Sequence, residues 1–408
     1  MENTLPKGSA QYINRLNKIK VLNLIRESGK ISRADIVKVT GLSAPTITRI
    51  VDSLINVEKL VAQTGIGESG GGRPPVIVHF NGESKYVIGI DWGRTHIHGV
   101  LTNLNGESFA DIDIPTSVTT DYTESMERVF GLIEGLIKES KIDQSDLAGI
   151  GVAAAGFVSR HNQHIEFSPN FGWRDVDLCK PLLERFNVPV IVDNVSRVMA
   201  MGEMHYGGAE KLKNFLFINV GYGIGSGIIL DHKPFYGNDG WSGEIGHTRV
   251  AKSKRNVRQC SCGKKDCLEC FSSGRGIVET VERELSKYPN SVLNEVAQNN
   301  ERLTGELIAV AAQKGDELAL KAFDLAADYL GTSVASVANI LNPEAIFFGG
   351  KVMKAGDFFF SKIEQVFQEE CLLNKSRSIR ILKTELGDMA AVKGATSLIL
   401  NEILNFNV

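Results

Sequence analysis

No stretch of the 408 residues approaches the ~20 consecutive apolar side chains that a membrane span needs. Met1 to Ala10 carries Lys7 but no apolar run behind it, so no secretory leader is expected and the cytoplasm is the expected compartment. Net charge is also small, at −3, but it hides an asymmetry. Residues 1–80 hold 11 Lys and Arg against 6 Asp and Glu, whereas the remainder holds 34 against 42. A basic segment on an acidic body fits a nucleic-acid-binding head, since phosphate neutralisation supplies much of such affinity. Cysteine is scarce, at six, yet Cys260, Cys262, Cys267 and Cys270 lie within eleven residues. In a reducing compartment that clustering reads as metal binding before disulfides. Apolar content of 43% and charged content of 23% are ordinary for a globular chain. The length calls for two or three domains.

Ile13, Leu16, Ile19, Leu22 and Ile25 recur every third residue, widened by Val21 and Leu24, and predict an amphipathic helix that stops at Ser28-Gly29. Ser32 with Asp35 three residues later resembles a capping box opening a short second helix that ends at Thr40-Gly41. Gly41-Leu42-Ser43 is then a tight turn, with Ser43 placed to cap a third helix and Pro45 in its first turn. Ile47, Ile50, Val51, Leu54 and Ile55 form that helix's buried stripe, leaving Ser43, Thr46, Thr48 and Arg49 on the other face. This is a helix-turn-helix layout, with small hydroxyls and one Arg suited to the major groove. Leu60-Val61-Ala62 and Val76-Ile77-Val78 flank a glycine-rich tract and predict a hairpin wing. Its loop presents Arg73 between glycines and prolines, as minor-groove hooks do.

From Tyr86 apolar strands alternate with helices, an α/β pattern. Asp91-Trp92-Gly93-Arg94-Thr95 joins two strands. Gly221-Tyr222-Gly223-Ile224-Gly225 joins two more about 130 residues later. Two such turns can face each other across a cleft and offer backbone N–H groups to a phosphate chain. In this order they predict a duplicated actin/hexokinase-type body, with Asp91, Gly93, Thr95, Gly221, Gly223 and Gly225 as its phosphate-facing residues. Ile346-Phe347-Phe348-Gly349-Gly350 adds a strand ending in glycines. The strongest chemical signal is Gly243-Glu244-Ile245-Gly246-His247 followed by Cys260-Ser261-Cys262 and Cys267-Leu268-Glu269. His247, Cys260, Cys262 and Cys267 complete a tetrahedral zinc set with no open position, which predicts a structural rather than a catalytic ion. Cys270 is expected to point elsewhere. A DNA-reading zinc finger lacks support, because a second Cys-x-x-Cys and a paired His are missing.

Taken in order, the Glu-Ile-Gly-His and Cys-x-Cys-Gly-x4-Cys-Leu-Glu segments resemble the ROK family, named for repressors, open reading frames and kinases. The resemblance covers nearly the whole chain and is closest to the repressor branch, which responds to xylose, N-acetylglucosamine or glucose. It implies a winged helix-turn-helix over 1–82 and a two-lobed, ribonuclease H-like α/β body, with lobes at 83–200 and 201–408. The last helix is expected to return to the first lobe. It further implies operator DNA and a small sugar as partners, and a homodimer or tetramer. Sugar contacts fall on Asn170, Asn194, Glu244, His247 and Glu269. Family kinases read Glu-Asn-Asp-Ala-Asn where this chain reads Asp193-Asn194-Val195-Ser196-Arg197. Val195 thus stands in place of the catalytic base, and no phosphorylation is expected. Losing a positioned base costs about 10²–10⁴ in rate.

Overall fold

The computed structural model describes residues 9–66, 76–116, 121–169, 171–251, 257–298, 302–372 and 379–404. Its N-terminal head begins with α1 (Ala10–Ser28), where the Ser9 hydroxyl accepts from the Tyr12 amide at 3.1 Å. β1 (Lys30–Ser32) leads into α2 (Arg33–Thr40). There Ser32 Oγ accepts from the Asp35 amide at 3.1 Å and donates to Asp35 Oδ2 at 2.6 Å, so the expected box is closed. Gly41 at φ +72° ends α2, in the left-handed region where glycine carries no steric cost. α3 (Ala44–Asn56), β2 (Val61–Ile66) and β3 (Val76–Phe80) follow. The wing is a three-stranded antiparallel sheet in the order β1-β3-β2, the segment between α1 and α2 supplying the edge strand that the hairpin reading lacked.

One part of the expected α1 stripe is corrected. Val21, Leu22 and Ile25 are buried, whereas Ile13 and Leu16 are 50% and 41% exposed. The helix is 19 residues long, and the head's hydrophobic cluster draws its buried α1 residues from the second half of the helix alone.

The body contains two sheets of the same construction. The first uses β4 (Tyr86–Trp92), β5 (His96–Asn103), β6 (Ser108–Pro115), α4 (Tyr122–Ser140) and β7 (Leu147–Ala154). A small sheet of β8 (Phe157–Val158), β9 (Ile165–Ser168) and β10 (Trp173–Val176) follows. Then come α5 (Cys179–Phe186), β11 (Val190–Asn194) and α6 (Val195–Tyr206). The second half runs β12 (Phe215–Val220), β13 (Ile224–Leu230), β14 (Lys233–Pro234), α7 (Glu269–Ser272), α8 (Gly274–Glu284) and α9 (Leu293–Gln298). It ends with α10 (Gly305–Gln313), α11 (Glu317–Leu341), β15 (Ala345–Gly349), α12 (Asp357–Glu370), β16 (Arg380–Lys383) and α13 (Met389–Leu404).

Strand orders are β11-β7-β4-β5-β6 and β14-β13-β12-β15-β16. In each sheet the first three strands in sequence form an antiparallel meander, and two later strands add in parallel. The internal duplication expected from the two glycine turns is therefore realised strand by strand.

α6 and α13 pack on each other and on the sheets. A Cβ at Gly394 of α13 would lie 2.0 Å from the carbonyl oxygen of Val198 in α6, so the two backbones touch where glycine alone fits. The far end of α13 buries Ile399, Leu400 and Leu404 in the same hydrophobic cluster as Leu22, Ile25 and Leu54 of the head. Among the described residues no helix is long and apolar enough to cross a membrane.

Candidate functional site

Ser43 caps α3, its Oγ accepting from the Thr46 amide at 3.4 Å and lying 2.9 Å from Thr46 Oγ1. With Pro45 in the first turn and Ile47, Ile50, Val51 and Leu54 buried, the opposite face turns Ser43, Pro45, Thr48 and Arg49 to solvent, with Thr46 half-buried. Arg49 donates from Nη2 to Asn14 Oδ1 of α1 at 2.8 Å, which holds the guanidinium on that face. The hook residue Arg73 lies outside the described residues.

At the body's cleft, β11 delivers Asn194 to the start of α6. Its Oδ1 accepts from the Ser196 and Arg197 amides at 2.9 and 3.4 Å, while Nδ2 donates to the Gly156 carbonyl at 2.8 Å. Asn194 is thus a helix cap, with both lone pairs of Oδ1 and one Nδ2 hydrogen engaged and one N–H remaining. Asn170 lies outside the described residues.

Glu244 and His247 are held by two glycines pressed against β13. A Cβ at Gly243, φ +88°, would fall 2.1 Å from the Ser226 carbonyl oxygen, and one at Gly246 2.0 Å from that of Ile224. The Gly-Glu-Ile-Gly-His spacing follows from that contact and brings Glu244 Oε2 to 3.9 Å from His247 Nε2. Burial pushes the Glu244 carboxyl up to about 7, against the pull of Arg197.

On the other side of the imidazole, His247 Nδ1 lies 3.5 Å from Cys260 Sγ, and Cys262 Sγ lies 3.8 Å from Cys267 Sγ. All four donor atoms fall within 4.8 Å of one another, so the cluster could hold a metal ion. For zinc, with Zn–S near 2.3 Å and Zn–N near 2.0–2.1 Å, a tetrahedron has edges of about 3.8 Å (S–S) and 3.5 Å (S–N), which these two separations match. Cys270 is not one of the four, but it is buried in the same small cluster as Cys260, Cys267 and Phe271 instead of pointing away. Buried Arg258 anchors the loop by donating from Nη1 to the Cys270 and Gly276 carbonyls at 2.7 and 3.1 Å. Glu269, 6% exposed, places Oε1 3.0 Å from Ser261 Oγ and 3.4 Å from Arg275 Nη2, beside Cys260. The cysteine loop and Glu269 therefore share one set of contacts.

The glycine turns come from different sheets. Gly93 donates to the His96 carbonyl at 3.0 Å and Gly221 to that of Gly223 at 3.0 Å. Arg94 sits over the Tyr222 ring at 5.0 Å, and Lys351 Nζ lies 3.0 Å from His96 Nδ1 and 3.4 Å from Thr95 Oγ1. Burial pushes the Asp91 carboxyl up to about 6, opposed by His98 and Lys351. A Cβ at Gly223 would lie 2.9 Å from Glu269 Oε2, and one at Gly225 2.4 Å from Ser196 Oγ, so this turn abuts both Glu269 and the start of α6.

Sequence reasoning missed Arg197, whose Nε and Nη2 donate to Asp193 at 2.7 to 3.1 Å, with Nη2 also reaching the Gly240 carbonyl at 3.0 Å. The i,i+4 Asp–Arg spacing was the available signal. Tyr236, 4.6 Å below that guanidinium, and the aromatic contacts of Phe157 and Trp241 had none.

A body of two like sheets with a winged head defines the class, and the comparisons agree. The chain belongs to the ROK family, which it matches over residues 87–402, and residues 15–56 match a winged helix-turn-helix DNA-binding segment. It is similar to a xylose repressor of Caldicellulosiruptor bescii, 31% identical over 98% of this chain and 99% of that protein. A glucokinase of Halalkalibacterium halodurans is 34% identical over 77% of this chain and 95% of its own length. The crystal structure of a ROK family transcriptional regulator, a homologue of the E. coli MLC protein, superposes with TM-score 0.82 at 27% identity, covering 97% of both chains. Of these three, the two that extend through the head are a repressor and a regulator.

Proposed function

We propose that this chain is a sugar-responsive DNA-binding repressor of carbohydrate-utilisation genes, working in the cytoplasm as a homodimer or higher oligomer on operator DNA. The observation that carries this reading is α6. Its cap is Asn194, its first turn carries Arg197, whose charge acts on Glu244, and its last turn, His205 and Tyr206, lies close to Arg26 of the head. Burial, with Arg26 of α1 close by, holds His205 below its ordinary value, and Asn401 of α13 lies 3.2 Å from its Nε2. Twelve helical residues span about 18 Å, so one rigid element joins the cleft to the DNA-reading domain. A sugar that draws Asn194, Glu244, His247 and Glu269 together would displace α6 and the α13 face on which the head rests. Operator half-sites lie about one turn apart, so a small rotation of paired heads suffices to lose fit.

The relatives' names make aldoses such as D-xylose and D-glucose the first effectors to test. Zinc held by His247, Cys260, Cys262 and Cys267 would be structural, ordering the loop against Glu269 and so supporting sugar binding at second hand. We take Asp91, Gly93, Thr95, Gly221, Gly223 and Gly225 as a vestigial phosphate site. We take the lobe boundaries as 83–200 and 201–408, behind a head at 1–82.

Catalysis is absent from this reading because Val195 cannot accept a proton. The neighbouring carboxylate, Asp193, is engaged by Arg197. The likeness to a glucokinase favours a second reading, an ATP-dependent sugar kinase carrying a head. ATP consumption with a panel of pentoses and hexoses separates the two. The repressor reading expects no sugar-dependent turnover, and turnover in the ordinary kinase range would overturn it.

A further inference from the structure

Trp241 is fastened on both sides and open in the middle. At Gly240, φ +94°, a Cβ would lie 2.8 Å from the Val158 carbonyl oxygen, and Arg160 donates to the Asp239 carbonyl at 3.3 Å, which ties this end to the first lobe. Gly243 ties the other end to β13. Between them the indole is 48% exposed, whereas Trp92 and Trp173 are 1% and 5% exposed. Its ring centroid lies 4.9 Å from that of Phe157, and Phe157 stacks on His247 at 5.8 Å and 25°. The residue before Phe157, Gly156, accepts from Asn194. Indole, phenyl and imidazole thus form one continuous aromatic surface, running from solvent to the groups that face the cleft. It is built from both lobes.

A pyranose has two unlike surfaces, an edge of hydroxyls and a ring face of C–H groups. Glu244, Glu269 and Asn194 answer the edge, and none of them answers the face. We propose that Trp241, backed by Phe157, is the stacking wall for the ring face of a neutral aldopyranose, and so a determinant of effector affinity and selectivity. This rests on the sugar-cleft reading above. An exposed aromatic ring is the surface that an apolar ring face needs, and covering it removes apolar area from water on both partners. Because the wall crosses from Phe157 to Trp241, a sugar seated on it contacts both lobes at once.

The test is calorimetric titration of the full chain with D-xylose, D-glucose and N-acetyl-D-glucosamine, alongside tryptophan emission. All three indoles emit, and the sugar-dependent part is assigned to Trp241, the exposed one, by its loss in Trp241→Phe. With a binding sugar, emission moves to shorter wavelength as the indole is covered. Trp241→Phe keeps binding within a few-fold, and Trp241→Ala weakens it about tenfold or more, as deletion from an apolar subsite does. Thermal melting of both variants confirms that they fold. If wild type binds none of the three sugars, the sugar reading itself falls and the wall with it. If it binds one and Trp241→Ala binds equally well, the wall alone is overturned.

Discussion

Arg197 closes on Asp193 through Nε and Nη2, at 2.7 to 3.1 Å, with the two side chains 2% and 6% exposed. The pair spans the junction of β11 and α6. Breaking a buried pair from one side leaves an uncompensated charge and costs about 3–5 kcal/mol. Arg197→Ala is therefore expected to lose that much in urea unfolding. A loss below about 1 kcal/mol would show Asp193 finding water or another donor once freed.

The cysteine cluster predicts a metal content of one zinc ion per chain, measured by inductively coupled plasma mass spectrometry. Cys262→Ser, which removes a half-buried ligand, is expected to lose the ion and lower the melting temperature. Sugar affinity should fall with it, because Glu269 shares its contacts with the same loop. A protein purified without zinc that melts and binds as the zinc-containing one does would contradict the structural role.

Asp91 carries a pH signature. Its folded pKa is raised from 3.8 to about 6, so ionising it in place costs stability. That cost is absent below pH 3.8, grows as pH rises towards 6, and is complete above it. Asp91→Asn removes the cost. It is expected to stabilise the protein by about 3 kcal/mol at pH 8 and by about half as much at pH 5. Chemical denaturation at the two pH values checks both size and sign. A variant less stable at pH 8 than wild type would mean that the carboxylate's attraction to His98 and Lys351 outweighs its burial.

How much of this was legible beforehand follows from the range of the interactions. The head's caps and turns act over three or four residues, and Ser32, Gly41, Ser43 and Pro45 each sit where their local chemistry places them. The stripe on α1 was legible as a period but not as a burial pattern. Whether Ile13 and Leu16 are covered depends on how far the partner elements extend. At the body, the two glycine turns and their strands were legible as a repeat. The Arg94–Tyr222 stack, the Gly394 crossing and the Phe157–Trp241 contact join residues about 80 to 200 positions apart, a separation on which no local pattern reports. Arg197 lay within reach, since it stands four residues after Asp193, across the junction of a strand and a helix.

The most direct measurement is retardation of the DNA upstream of the protein's own gene, with and without D-xylose, D-glucose and N-acetyl-D-glucosamine, for wild type and Arg49→Ala. The account predicts a specific complex whose stability one of the sugars changes, weakened about tenfold or more by Arg49→Ala through loss of a base contact. Absence of specific retardation under every condition, or a complex indifferent to all three sugars and to Arg49, would contradict it.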